Sequence, residues 1–292
     1  MLIKEYQELY EGYSEWLTRI NYAKYTIKQK KRHLKYFLEW LEIEAIESLE
    51  EIELEDFKFY RDHLLIKRNK QGKSLSSNTI QSYIEVLKHV NKYLEKYDKP
   101  PLITKKIYTP EYISPVINPL TVEDINELYS VCNNDHVGFR DRAILSLYYG
   151  CGLRSKEGID LLVGDIDLKN EYLQVRSGKH YLQRYVPLSK GVKSDFEDYL
   201  RYGRFYFKCE PNDHFLLTVK GTHISNGRLN TRIKQLAEKA GIEKRINLHL
   251  LRHSIATHLL AEGMELDQIQ LFLGHRSIRA TQHYTHVAES RK

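Results

Sequence analysis

The stretch DKPPLITKKIYTPEYISPVINP, residues 98–119, is proline-bearing and has no sustained apolar period, and it interrupts a chain that is strongly patterned on both sides. Such a break predicts a linker between two separately packed bodies rather than one continuous core. Before it, Tyr6, Leu9, Tyr10, Tyr13, Trp16, Leu17 and Ile20 recur at three-and-four spacing, which predicts an amphipathic helix ending near Asn21. Further helices are expected through YTIKQKKRHLKYFLEWL, LEDFKFYRDHLLI and SNTIQSYIEVLKHVNKYLEKY, the last capped by Ser77 or Asn78. The expected organisation is a helical domain over residues 1–98, a linker over 99–118 and a second domain over 119–292.

Beyond the linker, LTVEDINELYSVC predicts a helix capped by Thr121 with acids in its first turn, and FRDRAILSLYYGCGL predicts another. The period then changes. GDIDLKNEYLQVRSGKHYLQRYVPLS alternates apolar and polar residues around turn-forming groups, which predicts two or three short strands inside an otherwise helical domain. Helices resume at VKSDFEDYLRYG, SNGRLNTRIKQLAEKAG, LHLLRHSIATHLLAEG and LDQIQLFLG, with Gly263 and Gly274 placed where a left-handed stop belongs. The fold class is therefore mainly α with a small antiparallel β-sheet.

A chain of 292 residues with 41% apolar and 29% charged residues has the balance of a soluble globular protein. Its three cysteines, Cys132, Cys151 and Cys209, are odd in number and far apart, which fits a reducing cytoplasm better than a disulfide framework. The stretch MLIKEYQELYEGY lacks a signal peptide's apolar core and no run offers 18 uninterrupted apolar residues, so neither export nor a membrane span is expected. The formal charge of +6 permits a polyanionic partner without requiring one.

The distribution of charge says more than its total. Lys24 to Lys35 holds six basic residues and no acid, whereas Glu39 to Asp56 holds nine acids and no base. Two solvated faces would account for this. A second basic loop at Lys67, Arg68, Lys70 and Lys73 adds the alternative of a phosphate-binding surface that includes Lys28, Lys30, Lys31 and Arg32.

Several residues in the second domain carry chemistry. In NLHLLRHSIATHLL, His249 and Arg252 lie three apart on a helix and can approach one small anion together. Arg brings a charge that does not titrate and a planar fork suited to phosphate oxygens. In YYGCGLRSKEGIDLL, Arg154 follows a glycine-broken turn in apolar company, and Glu157 three residues on can pair with it. Lys179 falls at the expected tip of the hairpin, and His275 follows the expected helix stop at Gly274. Singly, each of these residues is more often structural or merely solvated.

Three readings unite them. Six of the thirteen histidines lie in the last 44 residues, which raises a metal site, but HLLRH lacks the glutamate base of a zinc-protease helix and two nearby arginines oppose a cation. A non-catalytic DNA-binding protein explains the basic first domain but not the Arg, Lys, His and Tyr set. Metal-free phosphoryl transfer gives every member a role, since a tyrosine oxygen attacks a phosphodiester while fixed cations hold the charge that grows on its non-bridging oxygens.

The chain resembles the tyrosine recombinase (phage integrase) family, and within it the Xer-type site-specific recombinases. GLRSKE looks like the family's first-arginine box, SGKHYLQRYVPL its lysine hairpin, HLLRHSIATHLL its His-x-x-Arg box, and LGHRSIRATQHYTHV its last histidine and nucleophile. The first domain is similar to the family's helical core-binding (SAM-like) bundle, and the second to its catalytic domain. The resemblance implies that Tyr284 is the nucleophile, forming a 3′-phosphotyrosyl bond, and that Lys179 protonates the leaving 5′-hydroxyl. It further implies that Arg154 and Arg252 hold the scissile phosphate, that His249 and His275 donate hydrogen bonds and help move protons, and that Glu157 supports them. No cofactor or metal is expected. The expected partner is double-stranded DNA, gripped by both domains within a homotetramer or a heterotetramer with a related recombinase, with no membrane involved. The sequence departs from the Xer pattern at His180, where a glycine is usual, at Leu182, where a basic residue is usual, and in having eight residues after Tyr284. The expected role is chromosome or plasmid dimer resolution, with integration or excision of a phage or mobile element as the alternative. An alternative from another class is a DNA-binding regulator that no longer recombines.

Overall fold

The computed structural model describes residues 2–69, 71–102, 118–176, 183–207 and 212–274. The chain divides into two compact units, Met1–Pro115 and Val116–Lys292.

Among the described residues, the first unit holds four α-helices: α1 (Lys4–Arg19), α2 (Lys24–Ile43), α3 (Leu54–Ile66) and α4 (Ser77–Lys96). The expected stripe on α1 is real but narrower, because Tyr6, Leu9, Tyr13 and Leu17 are buried while Ile20 stays 44% exposed. These side chains meet Leu34, Phe37, Leu38 and Leu41 of α2 and Ile84, Leu87 and Val90 of α4 in one core. Complete burial of each such side chain contributes about 1.5–3 kcal/mol. Helices α1, α2 and α4 end alike, with Asn21, Ala45 and Asp98 in the left-handed region. The next amide then bonds back into the helix: Tyr22 to Leu17, Ile46 to Leu41 and Lys99 to Leu94. The cap of α4 is Ser76 rather than Ser77 or Asn78. Its backbone is extended and its hydroxyl accepts from the Thr79 amide at 3.3 Å, whereas the other two already lie inside the first turn.

The second unit opens with α5 (Val122–Ser130), where the expected cap Thr121 is reciprocated by Asp124, whose side chain accepts from the Thr121 amide. Asp135 caps α6 (His136–Leu145), accepting from the amides of Val137 and Gly138. The helix expected through FRDRAILSLYYGCGL does not continue regularly: Ser146–Gly150 widens into a π turn. A short α7 (Ser155–Ile159) leads into strands β1 (Ile166–Asp167), β2 (Tyr172–Val175) and β3 (Arg184–Pro187). They pair antiparallel in sequence order, with Leu173 opposite Val186 and Val175 opposite Arg184. Alternation turns Leu173, Val175 and Val186 inward, against a core that includes Leu147, Tyr148 and Leu251. Helices α8 (Lys190–Asp198), α9 (Asn226–Lys239), α10 (Leu248–Ala261) and α11 (Leu266–Leu273) complete the described part of the unit. Gly274 ends α11 with φ of 64°, as its position predicts. The start of the unit is pinned to α10, where the Leu120 amide donates to Ser254 and its carbonyl accepts from His258. Among the described residues no helix is long and apolar enough to cross a membrane.

Candidate active site

Arg154 stands at the N-cap position of α7, directly after the turn at Gly152 and Leu153. Gly152 has φ of 58°, and a Cβ there would come within 2.8 Å of the Leu273 side chain, so this turn lies close against the end of α11. The Arg154 amide donates to Glu157 Oε2 at 2.8 Å, its Nη1 to Glu157 Oε1 at 2.8 Å, and its Nη2 to the Gly274 carbonyl at 2.7 Å. The pairing expected from the three-residue spacing is present.

Arg252, on the inner face of α10, is only 2% exposed. Its Nη1 donates to the Gly152 carbonyl at 2.5 Å and its Nη2 to the Leu273 carbonyl at 2.7 Å, while Glu157 Oε2 lies 3.9 Å away. His249, one turn earlier on α10, is exposed at the residue level, and its ring meets the His253 ring edge-on at 4.2 Å. Its pKa is lowered, first by partial burial of the ring and then by the positive charges of Arg252 and Arg154. That shift favours the neutral imidazole, which has one donor and one acceptor nitrogen.

Sequence reasoning missed a third guanidinium. Arg184, at the start of β3, grips both oxygens of Glu157 at 3.0 and 2.9 Å and donates from Nε to the Phe272 carbonyl at 3.0 Å. A signal was available, because the strand alternation that turns Val186 inward turns Arg184 inward too, and a buried charge requires a partner. Burial alone would raise the Glu157 pKa, but Arg184 and then Arg154 overcome it and hold the carboxyl at about 2. Three guanidiniums therefore surround one carboxylate, leaving the cluster with a net positive charge, which suits a phosphodiester that gains negative charge as it reacts.

The structure thus brings Arg154, Glu157, His249 and Arg252 together. Lys179, His275 and Tyr284 lie outside the described residues, as does Lys70 in the first unit. Among the described residues no three His, Cys, Asp or Glu side chains converge where a metal ion could sit.

Residues 118–291 match the model of the phage integrase family. The chain belongs to that family. It is 30% identical to tyrosine recombinase XerC of Oceanobacillus iheyensis, over 92% of this chain and 88% of that protein. It is 32% identical to tyrosine recombinase XerD of Listeria innocua, over 91% of this chain and 89% of that protein. Its fold resembles the XerH recombinase captured with its difH substrate after cleavage, with TM-score 0.72, 22% identity, and coverage of 95% of this chain and 82% of that one. This member of the family is a site-specific tyrosine recombinase of the Xer type.

In the first unit of the recombinase, the expected basic residues that are described have different neighbours. Lys30 and Arg32 line a groove of about 700 Å³ between α2 and α4, together with Gln29, Asn78, Gln81 and Ser82. The Lys30 pKa is lowered by burial and by Lys92, against the pull of Glu85. Lys28 is exposed on α2, whereas Lys31 turns toward α1, its ammonium 4.8 Å from the Tyr10 ring centre. Lys67 sits 3.6 Å from the Tyr36 ring centre, and Arg68 bonds Ser74 across the turn that follows α3. The uncharged amides of α4 carried no charge signal, so sequence reasoning did not mark them.

Proposed function

We propose that this recombinase cuts and rejoins double-stranded DNA through Tyr284, and that its described cation cluster binds the scissile phosphate. The observation that carries this reading is the convergence of Arg154 and Arg252 on one carboxylate, with His249 close enough for both to lower its pKa. In the proposed reaction the Tyr284 oxygen bonds to phosphorus and the bond from phosphorus to the 5′ oxygen breaks. The phenolic proton leaves through a histidine, His249 or His275, and Lys179 supplies a proton to the departing 5′ oxygen. Arg154 and Arg252 neutralise the non-bridging oxygens during both bond changes. The phosphotyrosyl bond preserves the energy of the broken one, so a 5′-hydroxyl from a second strand reverses the step and rejoins the DNA without ATP.

The α2–α4 groove is the proposed surface for DNA in the first unit. Its lysine and arginine suit phosphates and guanine edges, and its glutamine and asparagine suit adenine edges. Strand exchange between two duplexes requires four active sites, which makes a tetramer on DNA the working assembly. Similarity to XerC and XerD over more than nine-tenths of the chain supports dimer resolution, rather than movement of a mobile element, as the role.

A test starts from duplexes that the protein selects out of a random-sequence library, rebuilt with a nick beside each phosphate in turn. The wild-type protein is expected to form an adduct that survives denaturation, and Arg252→Gln is expected to form almost none while still folding. Wild-type protein that binds the selected duplex but never becomes covalently attached would overturn the reading in favour of a binding protein.

A further inference from the structure

We infer that Arg184 is a positioning residue for the phosphate-binding arginines, a role that rests on the recombinase reading above. Arg184 does not reach toward substrate. Its side chain is 8% exposed, and its three nitrogens are engaged: Nε with the Phe272 carbonyl, Nη1 and Nη2 with the two oxygens of Glu157.

What these bonds achieve is visible at the end of α11. The last carbonyls of a helix lack partners within it and carry the negative end of its dipole. Here three successive carbonyls are taken by three different guanidiniums: Phe272 by Arg184, Leu273 by Arg252 and Gly274 by Arg154. Glu157 in turn contacts all three arginines, two at hydrogen-bond distance and Arg252 at 3.9 Å. The closest approach is at Gly274, where an added Cβ would lie 2.8 Å from Arg184 Nη1 and 2.9 Å from its Cδ. The helix stop therefore rests on the Arg184 side chain. With Glu157, Arg184 forms a plate that ties β3, α7 and the end of α11 together, and this plate fixes where the Arg154 and Arg252 guanidiniums stand. In sequence, the next residue after that stop is His275.

Lysine keeps the charge but not the fork, so one ammonium cannot bridge both Glu157 oxygens and also hold the Phe272 carbonyl. For Arg184→Lys, single-turnover cleavage of nicked duplex at saturating DNA is expected to fall about 10–100-fold while the half-saturating DNA concentration moves less than about threefold. Thermal melting of the same preparation establishes that it is folded. An unchanged cleavage rate overturns the inference, and so does a rate that falls only in step with affinity or folded fraction. Should Arg184→Lys not fold, Gly274→Ala strikes the same guanidinium from the other side and is expected to give the same split between rate and affinity. A Gly274→Ala protein that cleaves at the wild-type rate overturns the inference as well. Wild-type protein that forms no adduct overturns the recombinase reading itself, an outcome distinct from a variant that merely matches an active wild type.

Discussion

At the scale of single residues, the cation cluster is organised around Glu157, one carboxylate facing three guanidiniums. Removing its charge leaves the buried Arg184 unpaired, so Glu157→Gln is expected to lower stability by about 3–5 kcal/mol, read from denaturant or thermal unfolding. The same pair is expected to make the protein acid-sensitive. The folded pKa of Glu157 lies below its ordinary value of 4.5, so its contribution is fully present above that value and is lost as the pH falls toward about 2. Wild type is expected to lose more stability over that interval than Glu157→Gln does; parallel losses would remove Glu157 as the cause. The Arg154–Glu157 pair was legible from sequence because the partners are three residues apart at a helix start. Arg184 was not assigned, because its partner is 27 residues away and nothing local names it.

At the scale of elements, helix positions were legible wherever apolar period and cap chemistry agreed, as at Thr121 and Gly274. The π turns at Ser146–Gly150 and Tyr199–Gly203 were not, since five residues are too few to reveal a changed period. One inter-helix contact in the first unit yields a pH prediction. His89 of α4 lies between the Tyr13 and Tyr22 hydroxyls, each 2.9 Å from a ring nitrogen, with Trp16 and Tyr93 nearby, Trp16 against the imidazole and Tyr93 against the indole. Burial first, then Lys30 and Lys92, lower its pKa to about 4 despite the opposing charge of Glu85. Its folded pKa is below its unfolded value, so the stability it provides is present above about pH 6.5 and is lost as the pH falls toward about 4. In NMR titration the His89 ring is expected to remain neutral at about pH 5.5; a midpoint near 6.5 would contradict the contact.

At the scale of the whole molecule, the opposite charge runs of the first unit proved to serve different ends. Much of the acidic run satisfies backbone donors: Glu42 accepts from the Ile3 amide, Glu51 from the Glu47 amide, and Glu53 with Asp56 caps α3. Of the basic run, Lys30 and Arg32 enter the groove with α4. If Arg32 meets a DNA phosphate there, Arg32→Ala weakens binding and reduces the slope of log affinity against log salt by about one; an unchanged slope would place that contact elsewhere. Sequence reached the identity of the chemistry through motif. It did not reach the plate beneath the arginines, which the fold assembles from separate segments. Tyr284 is proposed as the nucleophile served by this cluster. The most direct test is covalent attachment to a nicked target duplex by wild type and by Tyr284→Phe, followed by peptide mapping of the linked residue. Wild type should become attached through Tyr284, and Tyr284→Phe should bind DNA equally well without attachment. Adducts that persist in Tyr284→Phe, or that map to another residue, would contradict the account.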